Sequence, residues 1–296
     1  MKSLDEWKRP LSFSFRQFKY SEGIVCDEDG VEYGFAAAIL GNRYLCAAYA
    51  WLTEGETWYE VFRNDKLKVS VDGADVSSRD GKISFTGGIE AGRQVSAEGE
   101  DTKFNLHLKP LVESDLYGLN LGKINFGGYL SLYCKVTGTL TLQGKTKNVK
   151  GIGNNEYFSG FFGRHASWKY FSVHRNDFSI YASNARFNGF QYNKFILRGG
   201  NTIEYEPETV QVNSIDNRWI ASAKKKDGYF KAELHLLKAR PSNLTQPYIK
   251  VKIGPWKIME LTWKEYLINV KGHFAEKGEK TEFGSKGIAE EMDAIW

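Results

Sequence analysis

Apolar and polar residues alternate along much of the chain. Leu11-Ser-Phe13-Ser-Phe15 does so, as do Phe104, Leu106 and Leu108 against Asn105, His107 and Lys109. Phe230, Ala232, Leu234 and Leu236 alternate in the same way with Lys231, Glu233 and His235. A period of two sends successive side chains to opposite faces, so each segment predicts a strand with one dry and one wet face. Helical periodicity is nearly absent. Turn chemistry punctuates the strands at Asp29-Gly30, Asp72-Gly73, Asp80-Gly81, Gly87-Gly88, Gly199-Gly200 and Asp227-Gly228. Lys224-Lys225-Lys226, just before the last of these, reads as a solvated hairpin tip. Many short-spaced strands joined by Gly-rich turns predict an all-β protein of antiparallel sheets, closed into barrels or folded as sandwiches.

The pattern occurs twice. Val136-Thr-Gly138, Gly144-Lys-Thr146 and Lys150-Gly-Ile152 return as Val270-Lys-Gly272, Gly278-Glu-Lys-Thr281 and Lys286-Gly-Ile288. The offset is 134 at the first glycine (272 minus 138) and 136 at the last (287 minus 151). Phe104-Asn-Leu-His107 is echoed by Ala232-Glu-Leu-His235 at an offset of 128 (235 minus 107). Three echoes in one order predict two copies of one module, residues 1–160 and 161–296, with no Ser/Pro/Gly-rich linker between them. Closed barrels of about eight strands can hold one small ligand.

At 296 residues the chain can bury a substantial core, and 15% of it is aromatic. The net charge of +4 is spread without a basic stripe, which argues against nucleic acid as a partner. The charged start, with Lys2, Asp5, Glu6, Lys8 and Arg9, gives no core for a signal peptide, and no apolar run approaches the roughly 20 residues of a membrane span. A soluble, cytoplasmic protein is expected. Cys26, Cys46 and Cys134 are too few and scattered for a disulfide framework or zinc site and read as small buried hydrophobes.

Several near-motifs fail on spacing. Gly138 to Thr146 resembles a phosphate loop, but five residues separate its glycines where four are required, and it lies in strand sequence without a following helix. Ser159 has Tyr157, not glycine, two positions before it, so there is no nucleophile elbow. Asn243-Leu-Thr245 fits a glycosylation acceptor that a protein without a secretory signal does not use. The five histidines lack metal-ligand spacing, so no metal and no cofactor are expected.

The densest aromatic stretch runs from Tyr157 to Tyr192 and includes Phe158, Trp168, Tyr170, Phe171 and Tyr181. Threaded through it are Asn154, Asn155, Glu156, Ser159, Arg164, His165, His174, Ser183 and Asn184. An apolar pocket with a few placed polar groups has this composition; so does a core at a domain interface.

Gly151-Ile-Gly153-Asn-Asn-Glu156-Tyr157-Phe-Ser159-Gly160 resembles the Gly-x-(Ala/Gly)-Tyr-x-Asp-His-x-Trp-Gly signature of the AttH-like and carotenoid 1,2-hydratase-like proteins. That tandem lipocalin-like superfamily also takes in fungal Diels–Alderases and survival-factor-type lipid binders. Trp168-Lys-Tyr170, Phe178-Ser-Ile-Tyr181 and Gly287-Ile-Ala-Glu290 are similar to later strands of the family. The resemblance implies two lipocalin-like barrels packed together. In place of the signature Asp, His and Trp stand Glu156, Tyr157 and Ser159, and a later Tyr/Asp pair implied by the family falls near Tyr181 and Ser183.

Three functions follow. One is a cofactor-independent lyase or isomerase acting on a terpenoid or polyketide-like molecule, by cyclisation, isomerisation or hydration/dehydration, at the junction of the barrels. In it Glu156 is the acid, Tyr157 and Tyr181 orient the substrate, and His165 or His174 is a second acid/base. Asn154, Asn155, Ser159, Trp168, Tyr170, Phe171, Ser183 and Asn184 line the site. The alternative is a carrier that binds a lipid-like ligand without chemistry, and a third reading is an interaction protein whose barrels are filled with side chains; the plain structural role for Glu156 is a carboxylate paired with Arg164.

Overall fold

The computed structural model describes residues 15–41, 46–68, 75–78, 81–89, 91–121, 124–161, 165–187, 190–200, 202–239, 249–253 and 256–295. The predicted strand over residues 11–14, the Asp72-Gly73 turn, Asp80, Arg164 and the Asn243–Thr245 tripeptide lie outside them. The chain divides into two compact units, Met1–Phe162 and Gly163–Trp296.

The first unit contains β1 (Phe15–Asp27), β2 (Glu32–Gly41), β3 (Cys46–Glu54), β4 (Thr57–Lys68), β5 (Asp75–Ser78) and β6 (Gly81–Gly88). It continues with β7 (Gly92–Glu98), β8 (Thr102–Pro110), β9 (Asp115–Leu121), β10 (Ile124–Leu142) and β11 (Lys145–Phe161). The strands form one antiparallel sheet in the order β4-β3-β2-β1-β11-β10-β8-β7-β6-β5, with β9 paired to β10. The sheet curls until β4 lies against β6, β7 and β8, a near-closed barrel.

The second unit contains β12 (His165–His174), β13 (Phe178–Phe187), β14 (Phe190–Gly199), β15 (Thr202–Glu204), a 3-10 turn (Pro207–Thr209) and β16 (Gln211–Ile215). After these come β17 (Arg218–Lys225), β18 (Gly228–Ala239), β19 (Ile249–Ile253), β20 (Trp256–Glu276) and β21 (Glu279–Ile295). The order is β15-β14-β13-β12-β21-β20-β18-β17-β16, with β19 paired to β20, which makes a curled half-barrel. Both units therefore join their first strand to their last, end in a long hairpin, and carry a side strand on that hairpin.

The terminal hairpins explain the echoed glycines. Gln143-Gly144 has φ of 50° and 78°, and Lys277-Gly278 has 50° and 89°. Two successive positive φ values make the tight turn whose twist matches antiparallel strands, and glycine takes the second position without a Cβ penalty. The phosphate-loop look-alike is thus β10, a turn and β11. Leu106 faces Gly138 and Ala232 faces Gly272, so counted from those glycines His107 matches Glu233, not His235.

Each unit has its own apolar core. In the first, Val25, Phe35, Leu52, Phe104, Leu106, Leu108, Val136 and Leu140 are buried together. In the second, Phe171, Ile180, Phe195, Trp219, Phe230, Leu234, Ile268 and Ala289 are. At the turn end of the first core, the Lys147 ammonium reaches Asp27 at 2.7 Å and the Tyr33 hydroxyl at 2.6 Å. The hydrogen bond from Lys147, with the Val31 N–H and the Tyr33 hydroxyl, holds the Asp27 carboxyl at about 2. Hydrogen bonds to Asp27 and Tyr33 push Lys147 up. Burial pushes the Cys134 thiol up, so it behaves as an inert hydrophobe.

Candidate functional site

Strand register sorts the side chains of the first unit into rows. The core row Leu52, Phe35, Gly23, Gly153 and Cys134 runs across five strands, β3-β2-β1-β11-β10. Above it on the same face comes Ala50, Ala37, Ser21, Asn155 and Ser131, then Ala48, Ile39, Lys19, Tyr157 and Tyr129. Next to these, Gln17 pairs with Ser159. The interior is therefore split. β2 and β3 supply an apolar wall of Ala37, Ile39, Ala48 and Ala50, while β1, β11 and β10 supply a polar one, and every residue of both walls is buried.

A bulge puts Tyr129 there. On β10, Cys134, Val136 and Leu140 belong to the core, and the register shifts between Ser131 and Cys134, where Tyr133 has φ of 67°. The extra residue reverses the alternation, so Ser131 and Tyr129 share the core face. The Cys134 thiol donates to the Ser131 carbonyl at 3.1 Å across that bulge.

The polar wall is connected. Ser21 Oγ donates to Asn155 Oδ1 at 3.0 Å, and Asn155 Nδ2 donates to the Tyr129 hydroxyl at 3.1 Å. Arg93, on β7 two residues before the core residue Val95, also donates to the Tyr129 hydroxyl, and its guanidinium carbon lies 5.8 Å from the ring centroid. The Tyr129 and Tyr157 rings are 6.0 Å apart, and Lys19 Nζ is 5.8 Å from the Tyr157 centroid. Lys19 and Arg93, each 2% exposed, are the buried Lys and Arg side chains among the described residues. Two cations thus flank two phenol rings inside one barrel.

The alternation of β11 separates the predicted site residues. Asn155, Tyr157 and Ser159 face the interior, whereas Asn154 and Glu156 lie on the opposite face with Tyr20 and Glu22. There Glu22, 0% exposed, accepts from the Tyr20 hydroxyl at 2.6 Å and from Asn154 Nδ2 at 3.0 Å. Glu156 is half-buried beside Tyr20, which stacks on Phe18. Glu156 and Tyr157 therefore do not serve one pocket.

In the second unit the residues divide similarly. Phe171 is in the core and packs on Phe195 at 6.4 Å. Trp168, Tyr170, His174, Tyr181 and Ser183 lie on the face opposite that core. Tyr170 meets Tyr181 at 5.0 Å, and Trp168 and Trp263 donate their indole N–H groups to the two oxygens of buried Glu290, at 2.8 and 2.9 Å. His174 is buried and its Nδ1 is 3.2 Å from the Ser179 hydroxyl. His165 is exposed and sits 3.3 Å from Asp293, so it reaches solvent and not an enclosed site.

Asn184 lies in an open cleft of about 670 Å³ that Trp168 also lines. The core row Phe195, Ala182, Phe171, Ala289 and Tyr266 crosses the five strands below it, and Val210 and Val212 are among the residues that line it. Above this run two polar rows, Asn193, Asn184, Lys169, Glu291 and Lys264, then Gln191, Arg186, Ser167, Asp293 and Thr262. Charged and amide groups form the walls of this cleft, which differs in character from the apolar pocket expected of the aromatic stretch. The sequence reading missed Lys19, Arg93, Tyr129 and Glu22, which come from strands remote from the aromatic stretch. A buried lysine at a core-parity position of β1 was the available signal. Among the described residues no group of three His, Cys, Asp or Glu side chains is placed to hold a metal, and no helix is long and apolar enough to cross a membrane.

No protein-family model matches the chain, and no curated protein does. Solved structures do. A Nitrosomonas europaea protein assigned as AttH superposes with a TM-score of 0.62 over 93% of this chain and 91% of its own, at 14% identity. The chain has the AttH-like tandem-barrel fold. Kievitone hydratase from Nectria haematococca is similar at a TM-score of 0.58, covering 100% of this chain and 93% of that one at 13% identity. CghA, solved with Sch210972, matches at 0.58 over 99% and 92%, at 10% identity. Identities this low carry the AttH-like fold and leave function to the site.

Proposed function

We propose that the chain binds a hydrophobic small molecule and transforms it without a cofactor, in the polar end of the first unit's interior. The observation that carries this is the Tyr129 hydroxyl, which accepts hydrogen bonds from both Arg93 and Asn155 opposite a wall of alanines and Ile39. Two donors on a phenol oxygen stabilise the anion that remains once its proton leaves, which suits it to proton transfer. Lys19 and Arg93 raise the energy of any positive charge formed nearby and lower that of a negative one. Among cyclisation, isomerisation and hydration or dehydration, the site therefore favours routes through an enolate-like oxyanion. The substrate is a polyketide-like molecule with a carbonyl beside its alkene, in preference to a terpenoid hydrocarbon. The fold shared with a hydratase and with a protein solved with a bound small molecule supports the same reading.

The test uses chalcone as a conjugated-ketone probe in deuterated water. Deuterium incorporation or hydration product by mass spectrometry is expected with the native chain and is lost in Tyr129→Phe, while chalcone retention in native mass spectra persists. Turnover unchanged in Tyr129→Phe overturns the assignment. A carrier is the second reading, favoured because Ser21, Asn155 and Tyr129 already engage one another. Retention without exchange selects it.

A further inference from the structure

The open cleft of the second unit is built from two complete cross-strand rows of polar side chains. Asn193, Asn184, Lys169, Glu291 and Lys264 hold the inner row on five adjacent strands. Part of the row is fixed in place. Asn184 Nδ2 donates to Asn193 Oδ1 at 2.8 Å and to the Val210 carbonyl at 3.1 Å, and Gln191 Nε2 donates to the same Asn193 oxygen at 3.2 Å. Lys169 Nζ donates to Ser214 Oγ at 2.7 Å and lies 5.7 Å from the Trp219 ring centroid. These bonds leave Asn193 Nδ2, Asn184 Oδ1 and Gln191 Oε1 at the cleft wall, two acceptors and a donor group. Arg186, Lys264 and Glu291 line the same cleft and have no ion-pair partner among the described residues.

We propose that this cleft binds a polyhydroxylated ligand of the sugar or cyclitol class. Its volume of about 670 Å³ falls within the range of small-molecule sites. The lining selects the chemistry. An anion would meet the carboxylates of Glu291 and Asp293, and a cation would meet Lys169, Arg186 and Lys264. Hydroxyls both donate and accept, so a ring of them pairs with amides, carboxylates and cations in turn. The apolar edge of such a ring has Val210 and Val212, which line the same cleft, to lie against. This inference is independent of the chemistry assigned to the first unit.

Methyl β-D-glucopyranoside, methyl α-D-mannopyranoside and myo-inositol are titrated into the full chain by saturation-transfer NMR and calorimetry, with citrate and spermidine as charged controls. At least one polyol saturates the protein with a Kd of roughly 1 mM or tighter, and binding weakens at least tenfold in both Asn193→Ala and Glu291→Ala. Arg186→Gln, at an exposed position, serves as a third variant should either fail to fold by circular dichroism, and shows the same weakening. Saturation by citrate or spermidine in place of the polyols overturns the proposal. So does the absence of saturation by any polyol, or polyol binding unchanged in the variants.

Discussion

Replacing Glu290 with glutamine tests how a buried carboxylate is held in the second unit. Trp168 and Trp263 donate to its two oxygens at 2.8 and 2.9 Å, and the residue is 3% exposed. An indole N–H can only donate. Glu290→Gln keeps the shape but offers one oxygen and one NH2, so one indole must face another donor. Losing a hydrogen bond to a charged group costs roughly 1.5–3 kcal/mol, and a buried donor left unsatisfied costs about 1–3 kcal/mol; these overlap, giving about 3 kcal/mol in all. In urea, with a slope of about 3 kcal/mol/M, the midpoint falls by roughly 1 M, read by tryptophan emission. In a Trp168→Phe background one donor is gone and the glutamine oxygen can serve Trp263, so the same change costs only about 1 kcal/mol. The coupling between the two substitutions is then about 2 kcal/mol. A coupling below about 0.5 kcal/mol refutes the two-indole account.

The Asp27 carboxyl, held at about 2 mainly by its bond from Lys147, gives the fold stability that is complete above the unfolded value near 4 and lost as pH falls through about 2. Urea midpoints between pH 5 and 2 fall in the native chain, and the fall is shallower in Asp27→Asn; equal slopes refute the pairing. The Tyr205 hydroxyl is buried without a hydrogen-bond partner among the described residues, and burial raises its ionisation above the ordinary phenol range, with the Glu276 charge adding to it. Tyr205→Phe retains the ring contacts to Phe195 at 4.9 Å and Phe230 at 6.4 Å, so thermal unfolding shows no loss and a gain of up to about 1 kcal/mol. A loss above 1 kcal/mol reveals a partner for that oxygen.

Alternation made the strands of Phe104–Leu108 and Phe230–Leu236 legible, and the echoed glycines pointed to two modules. Both signals are local: a period of two, and a turn that only a residue tolerant of positive φ closes comfortably. The site was less legible because its parts meet through sheet curvature. Arg93 and Tyr129 are 36 residues apart and come from β7 and β10. Neighbouring letters such as Glu156 and Tyr157 suggested one constellation, although a strand must send them to opposite faces. Tyr129 was doubly hidden, since simple alternation from Val136 puts it on the wrong face and only the bulge at Tyr133 brings it back.

That bulge gives the long strand two independent phases. Removing one residue near Tyr133 would swing Tyr129 and Ser131 out of the barrel interior, yet Val136 and Leu140 would keep their seats. The chemistry of the barrel can thus be rewritten by a single insertion or deletion without disturbing the hydrocarbon interior that keeps it folded. β20, the corresponding strand of the other module, keeps one register along β21, and its shifts fall where it pairs with β18 and β19.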